Sequence, residues 1–66
     1  MVEFKMVNGL YNNRKDRCAV SIIVNGREVS IVSFEMFKGK VTRKLAIAGR
    51  AMPEVNIRQA WEFAQK

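Results

Sequence analysis

Six carboxylates, one thiol and no imidazole are the groups with which this 66-residue chain could do acid, base or nucleophilic chemistry. The missing histidine removes the commonest general base and the commonest metal ligand. Neither a Ser-His-Asp nor a Cys-His arrangement can be assembled without it. The carboxylates Glu3, Asp16, Glu28, Glu35, Glu54 and Glu62 are scattered, and most stand beside bases or on expected solvent faces. They read as surface charge rather than as a paired acid and base for glycoside chemistry. Cys18 opens an apolar run, so it reads as a small buried hydrophobe rather than a reactive thiol. No Cys/His metal spacing is present, Lys38-Gly39-Lys40 is too short for a phosphate-binding loop, and no Gly-x-Gly-x-x-Gly occurs. The expectation is a protein that is not an enzyme and takes no cofactor.

What rises above background is the excess of bases. Lys and Arg number 12 against 6 acids, giving a net charge of +6 and a pI of about 10.1. Lys38, Lys40, Arg43, Lys44 and Arg50 form one acid-free run, bracketed by Glu35 and Glu54. Arg14, Lys15 and Arg17 form a second, diluted by Asp16. Each base that neutralises a phosphate releases a condensed counterion, so several together give salt-sensitive and largely sequence-blind affinity for nucleic acid. Tyr11 and Phe37, beside these bases, are candidate stacking surfaces. Core or sheet-face packing is the preferred role for Tyr11, Phe34 and Phe37. No RNP-type run is present, which excludes an RRM.

The elements that must carry these residues follow from periodicity. Val2 to Leu10 alternates, with Val2, Phe4, Met6 and Leu10 on one face and Glu3 and Lys5 on the other, as in a half-buried strand. Residues 12–17 are polar and turn-forming. Cys18 to Val24 is rich in β-branched residues and runs into Asn25-Gly26, the strongest short hairpin signal. A two-residue turn there sets Val24 against Arg27, Ile22 against Val29 and Val20 against Ile31. Ser21 then meets Ser30 on the far face.

Residues 34–49 fit two conformations. As a hairpin turning at Lys38-Gly39-Lys40, a three-residue loop sets Phe37 against Val41, Glu35 against Arg43 and Ile31 against Ile47. Ile31, Phe37, Val41, Leu45 and Ile47 then face the core, and Lys38, Lys40, Thr42 and Lys44 make a basic finger of the kind that β-ribbons place in a groove. As a helix, Ser33 would be its N-cap and Gly49 its C′ residue, with Gly39 costing about 1 kcal/mol. The hairpin is the preferred reading. A helix-turn-helix is disfavoured, because Arg50 and Arg58 fall where apolar contacts are needed and Pro53 interrupts the second helix. The C-terminal segment is a helix: Pro53 suits its first turn, and Ile57, Ala60, Trp61 and Ala64 share a face opposite Arg58, Glu62 and Lys66. Asn56 and Gln59 form a capping pair if that helix starts late.

Together these signals predict an α+β domain over residues 1–66: a small antiparallel sheet of three to four strands, in β-β-β-β-α order, with one C-terminal helix packed on one face. Three strands followed by two helices is the alternative. No apolar stretch approaches a membrane span and a cytoplasmic location is expected. The leading functional expectation is a small accessory or regulatory protein that binds nucleic acid through phosphates. The second is an inhibitor or adaptor of the phage or mobile-element kind, meeting an acidic protein partner with its basic face or edge strand. The third is a homodimer through a patch of Phe34, Met36 and Met52, against the simpler reading that the methionines fill core gaps.

Overall fold

The computed structural model of the chain describes residues 1–7 and 16–65. Four strands, β1 (Val2–Met6), β2 (Arg17–Val24), β3 (Arg27–Phe37) and β4 (Lys40–Gly49), precede one helix, α1 (Glu54–Ala64). The strands form an antiparallel meander in the order β1-β2-β3-β4, and α1 crosses one face of it. This is the expected β-β-β-β-α architecture, with residues 34–49 as the end of β3, a turn and the whole of β4, and not a helix. The expected first strand stops at Met6. Leu10 and the loop at 12–15 lie outside the described residues.

Both hairpins turn on two residues with positive φ, Asn25 (52°) and Gly26 (81°) in one, Lys38 (53°) and Gly39 (80°) in the other. Such turns match the right-handed twist of the flanking strands. The second therefore closes tighter than the three-residue loop read from the sequence. Phe37 pairs with Lys40, not with Val41, while Glu35 pairs with Arg43 as expected.

The expected register of β2 against β3 holds only next to the turn. Val24 faces Arg27, but a bulge between Ile22 and Ile23 leaves Val29 without a direct partner. Beyond it Ile22 faces Ser30, Ser21 faces Ile31 and Val20 faces Val32. The reason lies in the length of β3. Without the bulge, strict alternation would turn Ser33 and Glu35 inward; with it, Val32, Phe34 and Met36 take the core side. Val20, Ile22, Val32 and Phe34 are consequently fully buried, and Ile31 moves to the opposite face. Two further bulges, at Ser33/Phe34 and Glu35/Met36, shift β4, so Ile47 faces Val32 rather than Ile31. Phe37 is 65% exposed instead of lying in the core.

The helix begins one residue later than Pro53, which serves as the N-cap with φ −57° and ψ 153°. Ile57, Ala60 and Ala64 are buried against the sheet. Trp61 meets Phe34 edge-on with centroids 5.8 Å apart, and Phe63 meets Phe4 at 6.0 Å. Asn56 and Gln59 do pair, Nδ2 donating to Oε1 over 3.2 Å, but on the helix surface rather than as a cap. Phe34 is thus a core residue and not part of an exposed patch, and Met36 and Met52 pack against the same core. Gly49 closes the sheet: its φ is +94°, and a Cβ there would stand 2.6 Å from the Val29 carbonyl oxygen.

Candidate nucleic-acid interface

The helix covers one face of the sheet; the face without the helix is termed the open face. Side chains on that open face fall into rows set by the register. Nearest the Lys38-Gly39 turn, Arg17, Glu35 and Arg43 stand abreast on β2, β3 and β4. The next row holds Ala19, Ser33 and Ala46; the one beyond it holds Lys5, Ser21, Ile31 and Ala48. Ala19, Ser21 and Ser33 are short and buried, so the middle of this face offers little surface of its own.

The charged row is an ion network. Arg43 Nε lies 2.9 Å from Glu35 Oε1, and Arg17 Nη1 lies 3.5 Å from Glu35 Oε2 and 4.0 Å from an Asp16 oxygen. One carboxylate therefore sits between two guanidinium groups, and with Asp16 the network balances two bases against two acids. Thr42, the bulge residue, donates its hydroxyl to the Glu35 carbonyl over 3.1 Å and stays exposed. Buried hydroxyls elsewhere on the sheet are also satisfied: Ser21 donates to Glu28 Oε2 over 2.6 Å, and Ser30 to the Arg50 carbonyl.

Beyond this row is the β3–β4 turn. Lys38 and Lys40 are exposed, and Lys38 Nζ stands 5.4 Å from the centroid of the exposed Phe37 ring, a cation–π arrangement. Lys38 holds a left-handed backbone conformation that asparagine or glycine would adopt more cheaply, by about 1–2 kcal/mol. Val7 and Asp16, the described neighbours of residues 8–15, lie at this same end: Val7 N donates to the Ala19 carbonyl over 2.9 Å, and Met36 N to the Asp16 carbonyl over 2.8 Å. Arg14, Lys15 and Tyr11 fall within 8–15, outside the described residues.

The remaining expected contacts are not drawn into this cluster. Lys44 is paired with Phe34, so it projects on the helix side, where it lines a groove of about 420 Å³ with Glu54, Ile57, Arg58, Trp61 and Glu62. Arg50 follows the far end of β4, about 30 Å from the turn at the rise of an extended chain. There it lines a separate hollow with Arg27 and Asn25. The acid-free run in the sequence therefore divides among three surfaces.

Three further cations were not among the expected contacts. Lys5 is exposed on the open face, while Arg27 and Arg58 are exposed elsewhere. Lys5 was legible from the alternation of the first strand, but a reading by runs of charge passes over isolated bases. Among the described residues, no group of three or more His, Cys, Asp or Glu side chains is placed to hold a metal ion. No helix of the described residues is long and apolar enough to cross a membrane.

No family model, curated protein or solved structure matches this chain.

Proposed function

We propose that this protein is a nucleic-acid-binding accessory or regulatory protein, acting by binding rather than catalysis, and that it docks the turn end of its open sheet face on the phosphate backbone. Arg17, Lys38, Lys40 and Arg43 are the described residues of that contact, and Phe37 stacks; Arg14 and Lys15 are proposed from the sequence alone. The observation that carries the reading is the turn itself. Two exposed lysines flank Gly39 beside an aromatic ring that is 65% exposed, and one of them occupies a backbone conformation unfavourable for its residue type. Backbone strain of this kind is concentrated at functional sites. Lys44 and Arg50, on other surfaces, make at most peripheral contacts.

An acidic protein partner would use the same cations. The two partners are separated by one comparison. Lys38→Ala/Lys40→Ala should weaken binding to an unrelated duplex and to a single strand by similar factors at low salt, because phosphate contacts carry no sequence information. Wild-type protein that binds neither, yet recovers one stable protein partner after nuclease treatment, would replace this reading with the adaptor one.

A further inference from the structure

We infer that β1 is a self-pairing edge, through which two copies of the chain join antiparallel about a two-fold axis at Phe4 to make one continuous eight-stranded sheet. The two edges of the sheet differ in kind. The β4 edge carries two bulges and the bases Lys40, Arg43 and Lys44, which are the usual guards against edge-to-edge pairing. The β1 edge has neither bulge nor proline between Val2 and Met6, and its pairing with β2 is unbroken.

The direction of its free hydrogen-bonding groups follows from the register. Val7 N donates to the Ala19 carbonyl over 2.9 Å, and Asn25 N to the Met1 carbonyl over 3.1 Å. The hydrogen-bonded pairs with β2 are therefore those of residues 1, 3, 5 and 7, and they alternate with non-bonded pairs. The N–H and C=O groups of Val2, Phe4 and Met6 point out of the sheet. Centred on Phe4, a second copy brings Val2 opposite the other copy's Met6 and Phe4 opposite its own counterpart, so these outward groups bond one another.

The side chains are complementary in the same register. On the open face, Glu3 of each copy stands opposite Lys5 of the other. On the helix side, Val2 and Met6, which are 38% and 36% exposed, join the Phe4–Phe63 pair in one apolar strip. A one-residue shift of register would break the Glu3–Lys5 pairing. This charge match selects a second copy of the chain over an unrelated strand. The inference does not depend on nucleic-acid binding.

Sedimentation equilibrium over a concentration series tests it. The wild-type mass should rise from 7.6 kDa towards twice that value. Glu3→Lys places lysine against lysine twice, and Lys5→Glu places glutamate against glutamate twice. Each single variant should dimerise at least about tenfold more weakly. An equimolar mixture of the two restores every opposite-charge pair and should associate as the wild type does, as should the double variant Glu3→Lys/Lys5→Glu. A wild type that stays monomeric at the highest concentration, single variants that dimerise unchanged, or a mixture that fails to associate would each overturn the inference.

Discussion

The ring of Trp61 stands edge-on to the ring of Phe34, with centroids 5.8 Å apart and planes at 73°. Phe34 is fully buried in the middle of β3 and Trp61 half-buried on α1, so this contact fastens the helix to the sheet. An edge-to-face aromatic pair adds about 0.5–1.5 kcal/mol to what area burial alone contributes. A chain of this length has only about 3–10 kcal/mol of total stability. Phe34→Ala should cost about 3–5 kcal/mol and leave much of the protein unfolded at 25 °C. Urea titration followed by circular dichroism measures this; a midpoint within error of the wild type would show that Phe34 is not central to the core.

Glu35 holds two guanidinium groups in one row. Glu35→Gln keeps the shape and removes the charge that offsets Arg17 and Arg43. The Glu35 side chain is about one-third exposed, so the loss of stability should be small, about 0–1 kcal/mol. Affinity for nucleic acid should rise, and its dependence on salt should steepen, because Arg43 loses its carboxylate and Arg17 keeps only Asp16. Fluorescence anisotropy at several salt concentrations reads both effects. Weaker binding by the Gln variant would place the contact on another surface.

Phe37 is the exposed aromatic beside the bases. Its removal should cost little stability, within about 0.5 kcal/mol. Phe37→Ala should nonetheless weaken single-strand binding by about 1–3 kcal/mol, close to the effect of losing one stacked base. Duplex binding should change less. Equal losses on single and double strands would point to a packing role for the ring instead.

Cys18 is buried at the start of β2, and burial pushes its thiol above the ordinary value of 9.0. The native state therefore holds the thiol proton more tightly than the unfolded chain does. Stability contributed in this way is intact below pH 9.0 and falls as pH rises past it. Cys18→Ala should flatten that alkaline decline in denaturation midpoints. Thiol labelling of the wild type at pH 8 should be slow in buffer and fast in denaturant; rapid labelling of the folded protein would contradict the buried placement.

Much of this architecture was legible in the sequence. Asn25-Gly26 announces its hairpin because few residues tolerate positive φ, and Ile57, Ala60 and Ala64 mark the buried helix face by spacing alone. The pairing of Glu35 with Arg43 agrees with the sequence reading only by compensation, since the extra residue at Thr42 offsets a turn one residue shorter than expected. What alternation could not supply was the bulge at Val29. A bulge changes which face each later residue occupies, and it is chosen by the burial of Val32 and Phe34 against the helix, a contact distant in sequence. Ile31 was for that reason read as a core residue, and Phe34 could be placed in an exposed dimer patch. The basic run from Lys38 to Arg50 misled in the same way. Proximity in sequence along a ten-residue strand became separation across the sheet, leaving only its first members and Arg43 at the turn end.

The central claim is that the turn end of the open face binds phosphates, and a salt titration of wild-type binding to duplex and single-stranded nucleic acid tests it most directly. With about four to six phosphates neutralised, affinity for duplex should fall roughly 100- to 1000-fold between about 50 and about 200 mM monovalent salt. Lys38→Ala/Lys40→Ala should reduce the slope of log K against log salt by about two. No binding at the lowest salt, or binding whose strength ignores salt, would contradict the account.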